Sequence, residues 1–237
     1  MIENEDIIFR ESILRIPQEF ASLRSTIEKL VKMQHYGVPT RLLDITSNPL
    51  VALFFACNND GKFKDTDGEV IYLRIPKEFI KFFDSDTVSV LSNISRRPKN
   101  FEFEYNDHTK ISKFNESIPI AYLLHEIKEE KPYFQNIINP KHLEQVYAVK
   151  VKLDNPRILK QSGAFLLFGV RSTKIIQADV PYTWIMNKTE RKLNIVIPAN
   201  KKPLIRKELD LIGINESTLF PELDYQAKYL MRLYMKK

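Results

Sequence analysis

The sequence predicts an α+β fold in which a mixed, mainly antiparallel central sheet is flanked by helices. Three observations predict it. Apolar residues recur at helical spacing from Ile7 to Val31 and again from Leu204 to Tyr234. Runs rich in β-branched and aromatic residues fall between them. Hydrophobic residues make up 43% of the 237 positions, enough to bury a sizeable core. Helices at both ends around a central group of strands are the α+β arrangement.

The elements follow in order. Ile7, Ile8 and Leu14 mark a first helical segment, and Phe20, Leu23, Ile27, Leu30 and Val31 a second, with Pro17 between them. The second should end near Tyr36-Gly37, because glycine is favoured just past a helix and Pro39 holds Val38 extended. A strand fits Thr40 to Thr46. Asn48 before Pro49 is a strong helix start, and the helix from Leu50 to Cys57 is apolar all round, so it should be buried, with Phe54, Phe55 and Cys57 in the core. After a polar turn over Asn58 to Gly68, Glu69 to Ile75 reads as a strand. Residues 84–117 are rich in Ser, Asn, Asp and Lys and are expected to be mostly loop, with a short helix at most. A helix fits Ile120 to Lys128, and strands fit Gln145 to Leu153, Ala164 to Val170 and Leu193 to Ile197. Leu204 to Ile212, closed by Gly213, and Glu222 to Tyr234 are the last helices. No repeat or long linker divides the chain, which is read as one domain over residues 1–237.

Several chemistries are disfavoured by the residues themselves. The six glycines form no nucleotide-binding glycine loop. His35, His108, His125 and His142 lack metalloprotease spacing, and Cys57 is the only cysteine, so no metal is expected and no intrachain disulfide can form. Gln161-Ser162-Gly163 lacks the first glycine of a serine nucleophile elbow. The opening residues are acidic and no apolar run is long enough to span a bilayer, so a cytoplasmic protein without a membrane is expected. The formal charge of +6 is scattered, at Arg96-Arg97, Lys188 to Lys192, Lys201-Lys202 and Lys236-Lys237. It leaves nucleic acid as one partner class to be kept.

The stretch QHYGVPTRLLDITSNPLVALFFAC, residues 34–57, carries the chemistry. In a strand, Thr40, Leu42, Asp44 and Thr46 share one face and Arg41, Leu43 and Ile45 the other. A carboxylate among Leu42, Leu43 and Ile45 is costly to desolvate unless the hydroxyls of Thr40 or Thr46, or the first N–H groups of the next helix, bond it. Asp44 therefore either ties this corner together or serves a ligand. Arg41 either pairs with a core carboxylate or backbone carbonyls, or binds. His35 either caps its helix or binds, Arg157 is a surface or a binding residue, and Trp184 is read as packing.

These residues resemble the central motif of the FRG domain family, a QHYG-x-PTRLLD-x-T-x-NPL-x-ALFFA string. RILKQSGAF, from Arg157 to Phe165, is similar to a later family element, and ELDLIGINESTLFPELD, from Glu208 to Asp224, to its usual ending. The Phe-Arg-Gly that names the family has no counterpart. Phe9-Arg10-Glu11 lies on a helix, so the strand bearing that triplet is expected to be missing from this chain.

LLDITSNPLVALFFA is also similar, more distantly, to the strand and helix of ADP-ribosyltransferases. That resemblance implies an ADP-ribosyltransferase-like fold and an NAD-utilising effector of bacterial conflict, in phage defence or a toxin–antitoxin pair. NAD would be its substrate. Asp44 and Gln161 would be the catalytic residues, and His35, Tyr36, Arg41, Thr46, Asn48 and Arg157 would border the ligand. Cleavage of the glycosidic bond would pass through an oxocarbenium-like state that a nearby oxygen stabilises. Gln161 stands where those enzymes hold a glutamate, and its amide carries no charge. The alternatives are a non-catalytic module that binds a nucleotide-like small molecule, and a protein associated with nucleic acid; a protein target is a further partner under the enzyme reading.

Overall fold

The computed structural model describes residues 2–58, 63, 65–186 and 195–235. Their elements run α1 (Glu5–Arg15), α2 (Pro17–Phe20), α3 (Thr26–His35), β1 (Leu42–Thr46), α4 (Pro49–Ala56), β2 (Gly68–Val70), β3 (Ile80–Phe82), α5 (Asp86–Asn93) and α6 (Ile111–Asn115). They continue with α7 (Ile118–Glu130), α8 (Pro140–Leu143), β4 (Val146–Lys150), α9 (Pro156–Lys160), β5 (Gly163–Phe168), β6 (Ile195–Ile197), α10 (Lys202–Leu211), α11 (Glu216–Leu219) and α12 (Leu223–Tyr234). The fold is α+β. A mixed four-stranded sheet has the order β1-β5-β4-β3, with β3 parallel and β5 antiparallel to β4. β2 and β6 form a separate antiparallel pair.

The chain divides into two compact units. Unit 1 comprises Met1–Leu43, Ile75–Val151 and Phe165–Pro181, and unit 2 comprises Asp44–Arg74, Lys152–Ala164 and Tyr182–Lys237. In unit 1, α7 turns Ile120, Leu123, Leu124 and Ile127 inward at helical spacing, onto Val90, Ile94, Phe101, Phe103 and Phe114. α3 starts at a capping box: the Ser25 hydroxyl accepts from the Glu28 N–H while the Glu28 carboxylate accepts from the Ser25 N–H. It stops at Gly37, whose φ of 77° is the left-handed value that glycine adopts without strain.

Gly169 has no room for a side chain. A Cβ there would lie 2.1 Å from the Leu143 carbonyl oxygen and 2.7 Å from that of Gln145, the acceptor of its own N–H. Both obstacles are backbone. Gly169→Ala is expected to lower the unfolding free energy by about 2 kcal/mol through this overpacking, read as a lower urea midpoint at unchanged slope.

The core of unit 2 is Val51, Phe54, Leu209, Leu219 and Phe220, with Cys57, Val70 and Ile197 beside it. The expectation of a wholly buried α4 is corrected here. Only Val51 and Phe54 of that helix are buried, while Leu50 is 39% and Phe55 43% exposed. α4 packs one face toward α10 and β2, and the Phe55 ring meets those of Phe54 and Phe220 edge-on. Cys57 and Trp184 are buried as expected, and burial pushes the Cys57 thiol pKa up.

Residues 84–117 hold more helix than the single short one expected. They hold α5 and α6, and every residue from Val88 to Ser95 is buried. The polar side chains that suggested a loop bond back into their own helix: the Ser92 hydroxyl and the Asn93 amide donate to the Ser89 carbonyl, and Ser95 donates to Ser92. The strand expected at Glu69 to Ile75 is shorter, ending at Val70, with a lone bridge from Leu73 to Ile185. β3, α8 and α9 were not expected. The strand at Leu193 to Ile197 is seen as β6; Leu193 lies outside the described residues, as do much of the turn after Asn58, Lys188 to Lys192 and Lys236-Lys237.

Candidate functional site

The residues singled out in the sequence fall on both units. His35, Tyr36 and Arg41 belong to unit 1; Asp44, Thr46, Asn48, Arg157 and Gln161 belong to unit 2.

In unit 1 the turn after α3 delivers Arg41 into the interior. The Thr40 hydroxyl donates to the Gln34 side chain at 2.8 Å and accepts from the Leu42 N–H at 3.2 Å, which fixes the backbone on either side of Arg41. The Arg41 carbonyl accepts from the Phe168 N–H at 3.2 Å, and its guanidinium donates back to the Phe168 carbonyl at 3.1 Å. Its other edge grips Glu5 in a fork, Nε to Oε1 at 2.9 Å and Nη2 to Oε2. Both side chains are nearly inaccessible, at 3% and 8%. Such bidentate pairing is the strong form of an ion pair. Glu5 and Asp6 open α1, where the positive end of the helix dipole favours acids.

A third charge lies behind this pair. Lys174 is completely buried, with Nζ 3.6 Å from Glu5 Oε2 and 3.8 Å from Asp6 Oδ1. It donates to the carbonyls of Ser95, at 3.4 Å, and Arg97. Asp6 also holds Arg10 at 2.9 Å. Burial pulls the Lys174 pKa down to about 8; the Glu5 carboxylate opposes that shift and Arg41 adds to it.

Next to this network is a cavity of about 260 Å³. Glu5, Thr40 and Arg41 contribute polar groups to its lining, and Ile2, Pro39, Leu42, Phe168 and Val170 supply most of its apolar wall. His35 and Tyr36 are not part of that lining. The His35 ring meets the Tyr36 ring edge-on at 4.8 Å, and Tyr36 is 67% exposed.

Unit 2 places its motif residues in a hydrogen-bonded knot. Thr46 Oγ1 donates to the Gln161 carbonyl at 2.7 Å and accepts from the Asn48 N–H at 3.0 Å, and Asn48 caps α4 through Leu50 N–H at 3.0 Å. Gln161 is buried, and its amide donates to the Leu219 carbonyl at 3.0 Å. Arg157 lies over the Phe220 ring at 4.7 Å. Asp44 does not carry the desolvation expected of it, because it is exposed. The reason is that Asp44 lies beyond the buried pair Arg41-Leu42, on the exposed part of β1.

Sequence reasoning found Arg41 and missed Glu5, Asp6 and Lys174. Two acids at the head of a helix are a weak signal, and a single lysine far along the chain gives none. Among the described residues no group of three or more His, Cys, Asp or Glu side chains is placed to hold a metal, and no helix is long and apolar enough to cross a membrane.

Comparison with known proteins finds a likeness for part of this arrangement. The family model of the FRG domain matches residues 4–65, about a quarter of the chain. That stretch is an FRG domain match and contains Glu5, Asp6, Arg41 and Asp44, whereas Arg157, Gln161, Phe168 and Lys174 lie outside it. No curated protein and no solved structure matches the chain.

Proposed function

We propose that this protein is a binding module that takes a nucleotide-like small molecule in the unit 1 cavity. The observation that carries this reading is a cavity walled by apolar side chains, with the buried Arg41 and Glu5 in its lining, built on the family motif itself. A concave apolar site with a few fixed polar groups is the usual form of a small-molecule site. At about 260 Å³ it has room for one ring-sized group and is small for a whole dinucleotide. Arg41, Glu5, Thr46 and Gln161 are all engaged in protein hydrogen bonds, which favours binding over turnover.

The test is thermal and urea unfolding with NAD, adenosine monophosphate and nicotinamide at graded concentrations. A ligand that binds only the folded chain adds about 2.7 kcal/mol at a hundred times its dissociation constant. Absence of stabilisation by every compound would sink the reading.

A second reading, an NAD-cleaving, ADP-ribosyltransferase-like effector, is favoured by the exposed Asp44, a carboxylate open to solvent within the family motif. The same samples assayed for free nicotinamide separate the two. Release that Asp44→Ala abolishes while unfolding stays unchanged would establish the enzyme; stabilisation without release supports the module.

A further inference from the structure

On the binding reading above, we propose that the group seated in the unit 1 cavity carries an oxyanion on an apolar ring, and that the guanidinium of Arg41 recognises it.

A guanidinium has five N–H groups, and Arg41 uses three, two on Glu5 and one on the Phe168 carbonyl. One N–H on each terminal nitrogen has capacity left, on a side chain 3% exposed that lines the cavity. Buried donors take acceptors, and a planar oxyanion matches such nitrogens best.

Charge points the same way. Arg41, Lys174 and Arg10 stand against Glu5 and Asp6, one positive charge in excess while Lys174 keeps its proton. The segment packed on Lys174 from the other side presents the Ser95 and Arg97 carbonyls, and among the described residues no carboxylate other than Glu5 and Asp6 pairs with it. A neutral amide of the same shape would offer its carbonyl oxygen to these N–H groups but no charge against the excess. The walls, Ile2, Pro39, Leu42, Phe168 and Val170, suit a ring and offer it no charge.

Nicotinate and nicotinamide are an isosteric acid and amide that separate these terms. Their affinities would be measured by calorimetry at constant ionic strength, with inorganic phosphate as the oxyanion without a ring. At neutral pH nicotinate is expected to bind about tenfold tighter than nicotinamide and than phosphate. That advantage should shrink severalfold when the pH passes the Lys174 pKa of about 8 and the excess charge is lost. Equal or tighter binding of nicotinamide would overturn the proposal, as would phosphate matching nicotinate, since the walls would then contribute nothing. If neither ring binds while NAD or adenosine monophosphate stabilises the protein, the proposal falls and the binding reading stands. If no compound binds, both fall.

Discussion

Glu5→Ala is expected to remove about 3–5 kcal/mol of unfolding free energy, the largest effect of any single substitution considered for this chain. The size follows from what is left behind rather than from what the pair contributes. Glu5 takes two guanidinium hydrogen bonds from Arg41 and lies 3.6 Å from the Lys174 amine. Its removal leaves two cations buried with one fewer anion, and an unpaired buried charge is far costlier than a missing pair. Glu5→Leu combined with Arg41→Met should therefore recover much of the loss, because both charges go together. Urea unfolding of the single and double variants checks this. A single variant within about 1 kcal/mol of the parent would mean that water reaches the network in solution.

The second large effect is a rise in stability with pH on the alkaline side of neutrality. Burial lowers the Lys174 pKa to about 8, from an ordinary 10.5. Below pH 8 both the folded and unfolded chains hold the proton, and the folded state bears the full penalty of a buried ammonium. Between about pH 8 and 10.5 the unfolded chain still binds a proton that the folded chain has released, so stability rises with pH, by about 2–3 kcal/mol over the window. Unfolding free energies measured across that window should climb in the parent, and the climb should vanish in Lys174→Met. A parent profile that stays flat or falls would show that Glu5 and Asp6 hold the proton in place.

Much of the fold was legible because its signals are local. Gly37, Asn48-Pro49 and Gly213 each mark a helix boundary by chemistry within a few residues. The same Asn-Pro start recurs at Asn139-Pro140 and Asn155-Pro156, where the asparagine side chain again accepts from the second N–H, and it would have revealed α8 and α9. α5 was hidden for the opposite reason. Its serines and asparagine look like loop residues until their bonds to the Ser89 and Ser92 carbonyls are seen. Phe55 misled because composition states that a side chain is apolar, not how many layers will cover it. Of the site, Arg41 was readable from the family motif, with pairing to a core carboxylate as one of its possible roles. Its partner was not readable, since nothing in the chain marks Glu5 rather than another acid as the one that meets it.

The bond from Arg41 to the Phe168 carbonyl closes a loop 127 residues long. Closing so long a loop costs entropy before the contacts it allows can form, so non-local pairings of this kind slow folding. During synthesis from the N-terminus, Glu5 and Arg41 emerge well before Phe168 and Lys174. The unit 1 cavity therefore cannot close until the chain through Phe168 and Val170 has emerged.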